Sequence, residues 1–162
     1  MSIQIGDSIP SVTLRSVTAD GPTEINSTEF CAGRKILLIG IVGAFTGTCA
    51  NDHIPAILKN YDAFREKGID EIAVTSTNDM FALEAFSKAT GADGKITMLA
   101  DGNAELAKGM DLFLDGTGFG MGPRSHRYAM LLDDGKVSFL QVEENPGVCT
   151  VASNGTSLLE SL

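Results

Sequence analysis

The chain has 162 residues, of which 43% are hydrophobic and 20% are charged, and its formal net charge is −9. This length can bury a hydrophobic core without disulfides or metals, so we expect a single domain over residues 1–162. The acidic balance argues against nucleic acid as a partner, because binding to phosphates requires clustered lysines and arginines.

The first part of the chain predicts an extended N-terminus, a buried strand and a helix. Residues 3–16 predict a small extended hairpin. Residues 36–42, ILLIGIV, are a continuous apolar run rich in β-branched residues, which predicts a central strand buried on both faces. The apolar stretch around it spans about ten residues, too few to cross a bilayer. Apolar residues then recur at helical spacing and predict an amphipathic helix that ends at Gly68: Ile54, Ile57, Leu58, Tyr61 and Phe64.

The middle of the chain continues the alternation of strands and helices. Residues 70–76 predict a strand, and residues 78–90 predict a helix. Either Asn78 or Asp79 can cap the start of this helix, and Gly91 lies just past its end. Together these segments predict a parallel strand–helix–strand unit.

The second half of the chain predicts antiparallel strands and a closing helix. Residues 95–101 predict a third strand, and residues 103–110 predict a short helix. Residues 127–143 form two alternating runs around the Asp-Gly dipeptide at 134–135, which is typical of a tight hairpin. Residues 154–162 predict the last helix. This order is typical of an α/β, thioredoxin-like fold, with a central mixed β-sheet flanked by helices and an N-terminal β-hairpin extension.

The N-terminal residues lack the cationic start and apolar region of a secretory signal, so we expect a cytoplasmic protein with no membrane partner.

The role of each cysteine has to be judged from its surroundings in the sequence. Three cysteines at irregular spacing do not suit a disulfide framework. Cys49 lies in the stretch GAFTGTCANDHIP, between the central strand and a helix, where free backbone N–H groups stabilise a thiolate. It is a candidate nucleophile, and the alternative is a small buried hydrophobic side chain.

Sequence blocks from about Gly6 to Leu162 resemble the peroxiredoxins. In chain order they are GAFTGTC, HIP, TSTNDMFALEAF, LADGNAEL, RSHRYAMLLDDGKV and VEENPG. The resemblance is to the type II branch, which includes the peroxiredoxin-5-like atypical two-cysteine enzymes of the AhpC/TSA-redoxin superfamily. It implies a thioredoxin fold and a thiol peroxidase that reduces hydrogen peroxide and organic hydroperoxides. It implies no metal and no organic cofactor.

The resemblance also implies roles for particular residues. Cys49 matches the peroxidatic cysteine, whose thiolate attacks the peroxide and becomes a sulfenic acid. Thr46 matches the threonine that hydrogen-bonds the thiolate and the peroxide. Arg127 matches the arginine that lies over the thiolate in the fold. The active-site loop around them comprises Val42, Gly43, Phe45, Gly47 and Thr48.

Three positions depart from the family pattern: Val42, Gly47 and Ala50, the last of which stands where a serine is common. Val42 stands at the position of the motif proline, where it keeps an apolar wall but adds a backbone N–H that needs a partner. Gly47 stands where a second proline is usual, and it adds flexibility to the unfolded chain. These departures leave an alternative open, a catalytically weakened peroxiredoxin-fold module that serves in redox sensing or binding.

The peroxidase cycle that the resemblance implies needs a second thiol. Cys149 lies close to the resolving cysteine of the mammalian-type atypical enzymes and is the candidate, whereas Cys31 looks structural. If Cys149 does not resolve the sulfenic acid, then thioredoxin, glutaredoxin or glutathione would do so. Type II members commonly form homodimers, for which Phe45 and Phe81 would be contacts.

Three other kinds of site fit the sequence less well. Cys49 and His53, at i and i+4, could hold a metal, but only His126 and Cys149 would remain as imidazole or thiol ligands. The Gly-rich residues 115–123 do not join a strand to a helix, so they are not a dinucleotide loop. A thioredoxin-type disulfide exchange site is excluded because the first position of the Cys-x-x-Cys motif is a threonine.

Overall fold

The computed structural model describes residues 1–47, 53–143 and 155–162. Its strands, in chain order, are β1 Thr13–Thr18, β2 Gly21–Asn26, β3 Lys35–Gly40, β4 Glu71–Ser76, β5 Ile96–Ala100, β6 Phe113–Asp115, β7 Pro123–Ser125, β8 Tyr128–Asp133 and β9 Lys136–Val142. Its helices are α1 Ser27–Cys31, α2 Ile54–Lys59, α3 Tyr61–Glu66, α4 Met80–Thr90, α5 Glu105–Gly109 and α6 Gly155–Ser161. Within the described ranges, no helix has the length and apolar character needed to cross a membrane.

The strands form a mixed sheet of seven in the order β2-β1-β5-β4-β3-β8-β9, and β6 pairs with β7 in a separate hairpin. Strand β3 lies in the interior of the sheet, parallel to β4 and antiparallel to β8. Its side chains alternate between two buried clusters, with Leu37 and Ile39 on one face and Ile36 and Leu38 on the other. The prediction of a central strand buried on both faces is therefore confirmed.

The helix predicted to run to Gly68 is two helices, α2 and α3, with a break at Asn60. The Asn60 side-chain amide donates to the carbonyl of Ala56 at 2.8 Å, and the Asn60 backbone N–H bonds to Ile57. The side chain thus occupies the carbonyl that an unbroken helix would offer to the Asn60 N–H. The apolar stripe survives the break, since Ile57 and Phe64 are both fully buried in the same cluster.

The N-terminal hairpin is present, but it lies further along the chain than predicted. It is formed by β1 and β2, which span Thr13 to Asn26, rather than by residues 3–16. The residues before it pair elsewhere: the N–H of Ile3 bonds to the carbonyl of Met110, and Ser8 forms an isolated bridge with Lys136. Periodicity along a single segment carries no information about these long-range partners.

Two local predictions are confirmed in detail. Asp79 caps α4 by accepting hydrogen bonds from the N–H groups of the first turn, and Gly91 ends the helix with a left-handed backbone. The turn between β8 and β9 has positive φ at both Asp134 (50°) and Gly135 (78°), as expected of a tight hairpin.

Candidate active site

The loop that follows β3 leads toward Cys49 at one end of the central sheet. Residues 41–47 leave the carboxyl end of β3, and α2 begins at Ile54. Thr48, Cys49 and Cys149 lie outside the described residues. The carboxyl ends of parallel β3 and β4 lie at the same edge of the sheet, so side chains that follow β4 approach this loop.

Strand pairing brings Arg127 to the same edge. Strand β8 runs antiparallel to β3, and Tyr128, its first residue, pairs with Gly40, the last residue of β3. Arg127 precedes Tyr128, so it lies where residues 41–47 begin. Its side chain is only 2% exposed, and its carbonyl accepts a hydrogen bond from the N–H of Glu143 at 2.8 Å. Arg127 is therefore a buried cationic residue whose backbone is held beside the start of the loop.

His53 is a neutral group next to this cation. Its side chain is fully buried, and burial together with the positive charge of Arg127 lowers the pKa of His53 from 6.5 to about 3. Neither ring nitrogen has a hydrogen-bond partner among the described residues. His53 is the first described residue after Cys49 and directly precedes α2. Its imidazole carries no charge at neutral pH.

Thr46 and Phe45 adopt a constrained turn. The Thr46 hydroxyl donates to the carbonyl of Gly43 at 2.7 Å. Since the hydroxyl proton is used in this bond, the lone pairs of Oγ1 are left to accept a hydrogen bond. Phe45 has a φ of 60°, a left-handed conformation that is uncommon for a bulky residue. Its ring packs edge-on against Phe86, with centroids 5.2 Å apart.

Two of the three family departures, Val42 and Gly47, lie at opposite ends of the described part of this loop, and Ala50 lies outside the described residues. Val42 is buried, and its carbonyl accepts a 3.4 Å hydrogen bond from Nη1 of Arg124. Gly43 is crowded: a Cβ there would lie 2.6 Å from Arg124 Nη1. Gly47 is the opposite case, because a Cβ there would have no atom of the described residues within 4 Å. The start of the loop is therefore tightly packed, whereas no described atom crowds Gly47.

Sequence reasoning missed two side chains that hold this loop. Asn78 was considered only as a helix cap, but its side-chain oxygen accepts the N–H of Ala44 at 2.8 Å, and the cap is Asp79. Arg124 follows the Gly-rich residues 115–123, which form most of the β6–β7 hairpin. A polar residue just after a buried strand, next to the strand that leads to the nucleophile, is the signal that could have identified Asn78.

The described residues combine a buried cation, a neutral imidazole and a hydroxyl acceptor next to the residues that flank Cys49 in the chain. Such surroundings favour an anionic sulfur over a neutral one and offer hydrogen bonds to oxygen atoms. Within the described ranges, no three His, Cys, Asp or Glu side chains are grouped so that they could hold a metal ion.

Comparisons with known proteins agree over nearly the whole chain. The profile of the Redoxin family matches residues 4–158. Peroxiredoxin-2E-2, chloroplastic, from Oryza sativa subsp. japonica is 37% identical, over 99% of this chain and 73% of that protein. Peroxiredoxin-2E, chloroplastic, from Arabidopsis thaliana is 39% identical, over 99% of this chain and 70% of that protein. The crystal structure of reduced Prx3 in complex with H₂O₂ from Vibrio vulnificus has a TM-score of 0.92 and 40% identity, with 98% of each chain covered.

These similarities establish the family and the fold together. The matched structure confirms that the mixed sheet flanked by helices is the expected thioredoxin-like fold. Both of these relatives are named peroxiredoxins, and nothing in the comparisons favours a weakened module over an enzyme. The chain belongs to the Redoxin family and, within it, is a peroxiredoxin, a thiol-dependent peroxidase.

Proposed function

We propose that Cys49 is the peroxidatic thiol of this peroxidase. Its thiolate attacks one oxygen of a hydroperoxide, and the O–O bond breaks as the S–O bond forms. The electron pair of the broken bond leaves on the other oxygen, which takes a proton to become water or an alcohol. The sulfur is oxidised by two electrons to a sulfenic acid, and the peroxide is reduced by two. Hydrogen peroxide and organic hydroperoxides are the proposed substrates.

Arg127 and Thr46 are the proposed activating residues. The fixed charge of Arg127 favours the thiolate and stabilises negative charge on the departing oxygen. Thr46 orients the peroxide by accepting a hydrogen bond from its O–H, because the Thr46 proton is already donated to Gly43. The observation that carries this assignment is the pairing of Gly40 with Tyr128, which brings buried Arg127 to the loop leading to Cys49.

Cys149 is the proposed resolving thiol, with an external thiol as the alternative. The chain segment that contains Cys149 begins after Glu143, whose N–H bonds to the carbonyl of Arg127. It ends at α6, where Leu158 packs in the same buried cluster as Ile54 of α2. Both ends of the segment therefore lie near the proposed site. Attack of the second thiol on the sulfenic acid would form a disulfide and release water.

The remaining assignments concern partners and location. Phe45 and Phe81 are large hydrophobic side chains that are 57% and 56% exposed, which supports a homodimer through the face around the active-site loop. Thioredoxin, glutaredoxin or glutathione is the proposed reductant of the oxidised enzyme. A cytoplasmic location is proposed from the sequence alone.

Mapping the thiols after one turnover tests the assignment. Reduced protein would be treated with one equivalent of hydrogen peroxide, its free thiols counted, and its disulfides mapped by mass spectrometry without reduction. The proposal predicts rapid loss of the Cys49 thiol and a Cys49–Cys149 bond within one chain. A lasting sulfenic acid at Cys49 would assign resolution to an external thiol. Oxidation that spares Cys49 would contradict the proposal.

A further inference from the structure

Asn78 forms one end of a hydrogen-bonded chain that reaches Thr46. Its side-chain oxygen accepts the N–H of Ala44 at 2.8 Å. The carbonyl of the same peptide unit, which belongs to Gly43, accepts the Thr46 hydroxyl at 2.7 Å. The side chain of Asn78, which follows β4, thus fixes the orientation of this planar peptide. The peptide in turn fixes the direction in which the Thr46 hydroxyl donates its proton.

Asn78 is itself held in place. The hydroxyl of Ser76 donates to the Asn78 side-chain oxygen at 2.8 Å, and the backbone N–H of Asn78 donates back to the Ser76 oxygen at 3.2 Å. Ser76 is buried at the end of β4, which is parallel to β3 in the sheet interior. The oxygen that receives the Ala44 N–H is therefore anchored to the buried end of β4 in the sheet interior.

The peptide is confined from a second direction by Arg124. Its guanidinium bonds to the carbonyls of Met121 at 2.9 Å and Val42 at 3.4 Å. A Cβ on Gly43 would lie 2.6 Å from Arg124 Nη1, 3.3 Å from Thr46 Cγ2 and 3.4 Å from Asn78 Oδ1. Three side chains therefore converge on one glycine, which leaves the peptide little freedom to rotate.

We propose that Asn78 is a positioning residue for the peroxidase reaction. By fixing the 43–44 peptide, Asn78 keeps the Thr46 hydroxyl donating its hydrogen bond to the Gly43 carbonyl. The lone pairs of the Thr46 oxygen then stay available to accept a hydrogen bond from the peroxide O–H. Hydrogen bonds linked through one peptide also polarise one another, which strengthens this orientation. The inference rests on the proposed role of Thr46 in binding peroxide.

Two substitutions of Asn78 distinguish the effect of its hydrogen-bond acceptor from the effect of its side-chain volume. Asn78→Leu keeps a similar size but removes the oxygen, whereas Asn78→Asp keeps a carboxylate oxygen at the position of Oδ1, which accepts from both Ala44 and Ser76. The readout is the second-order rate constant for oxidation of the reduced protein by hydrogen peroxide, measured well below the unfolding temperature. We expect Asn78→Leu to lower it about tenfold or more, because small misplacements of reacting groups are costly. We expect Asn78→Asp to recover most of the loss.

A double-mutant cycle tests whether Asn78 acts through Thr46. In a Thr46→Val background, adding Asn78→Leu should cause no further loss of rate, because the hydroxyl that Asn78 orients is already gone. Asn26→Leu is the matched control. The Asn26 side chain also accepts backbone N–H groups, from Thr28 and Glu29, but it caps α1 at the far end of β3. It should lose stability without loss of rate.

The outcomes are distinguishable. An unchanged rate for Asn78→Leu, or losses that simply multiply in the double variant, would overturn the positioning role. A rate loss in Asn26→Leu equal to that in Asn78→Leu would also overturn it, since general destabilisation would then explain both. If Thr46→Val alone has the wild-type rate, the proposed role of Thr46 is wrong, and the role of Asn78 falls with it. If the wild-type protein reacts no faster than a free thiol, the proposed function of the site is itself wrong, and the positioning role of Asn78 is overturned with it.

Discussion

At the scale of single residues, the imidazole of His53 has surroundings that oppose its protonation from two sides. It is fully buried, so its charged form loses hydration, and the guanidinium of Arg127 repels a second positive charge. The pKa of His53 falls to about 3, and the side chain stays neutral through the physiological range. Of the two neighbouring side chains, His53 and Arg127, only Arg127 therefore carries a positive charge.

Acidification should therefore destabilise the protein through His53. In the unfolded chain this side chain takes up a proton near its ordinary pKa of 6.5, whereas the folded state resists until about 3. Between these values unfolding takes up a proton, so the stability contributed by neutral His53 is lost as the pH falls through this window. Linkage gives a loss of about 2 kcal/mol between about pH 7 and about pH 5.

Urea denaturation of wild type and His53→Leu at both pH values measures this contribution. The loss of unfolding free energy on acidification should be smaller in the variant by about the same 2 kcal/mol. Taking the difference between the two proteins removes the effect of other titrating groups. Equal losses in the two proteins would show that His53 does not resist protonation in the folded state.

At the scale of secondary-structure elements, α5 depends on one buried carboxylate. Asp101 follows β5 and accepts hydrogen bonds from the N–H groups of Leu106 at 3.0 Å and Ala107 at 2.9 Å. Burial raises the pKa of Asp101, and the hydrogen bonds from these amides partly oppose the rise. The carboxylate thereby joins the end of a strand to the first turn of the next helix.

Replacing Asp101 with alanine should destabilise the protein by about 1–3 kcal/mol, because buried amide donors at the start of α5 lose their acceptor. Thermal or chemical denaturation would measure the change. Asp79→Ala is a useful comparison, since Asp79 caps α4 in the same way but is more exposed. We expect the smaller loss there, and a larger loss in Asp79→Ala would contradict the importance of burial at Asp101.

Elements with a strong local signal could be predicted from the sequence, and elements that depend on distant partners could not. The β8–β9 hairpin and β3 each have a hydrophobic pattern that is complete within a few consecutive residues. The break at Asn60 comes from one side chain taking a helix carbonyl, which apolar periodicity does not reveal. The short strands β6 and β7 were missed because each has only three residues and the glycine-rich stretch between them predicts a loop.

At the scale of the whole molecule, the site depends on the pairing of strands that are far apart in sequence. Gly40 ends β3 and pairs with Tyr128, the residue after Arg127. The ring of Tyr128 lies over Gly40 so closely that a Cβ there would be 2.1 Å from Cε1 of the ring. Both residues are buried in the interior of the sheet, so the ring has no space to move aside.

Gly40→Ala should therefore weaken both the fold and the site. Overpacking in a buried core typically costs about 1–3 kcal/mol, and the strand shift that relieves it would also move Arg127. Stability by denaturation and the rate of peroxide reduction should fall together. Gly47→Ala provides the matched control, because a Cβ there meets no atom within 4 Å in the described part of the chain, and we expect stability to stay nearly unchanged. A fully stable Gly40→Ala variant would show that this contact does not constrain the sheet.

The active site shows the same limits of sequence reasoning as the fold. The position of Cys49 between a strand and a helix was visible locally, but Arg127 was singled out by resemblance to a family. The physical reason for its placement, antiparallel pairing of β3 with β8, is a long-range property. Asn78 and Arg124 bond to backbone groups of the loop. The position of Asn78 just after a buried strand is a local signal, whereas nothing local in the sequence indicates the contact of Arg124 with Val42.

The most direct test of the account is the rate at which the reduced protein consumes hydrogen peroxide, followed by stopped-flow in wild type and in three single variants. The variants are Cys31→Ser, Cys49→Ser and Cys149→Ser. The assignment of Cys49 as the peroxidatic thiol predicts a wild-type reaction orders of magnitude faster than that of a free thiol, lost only in Cys49→Ser. A fast reaction that survives in Cys49→Ser, or a wild-type rate no greater than that of a free thiol, would contradict it.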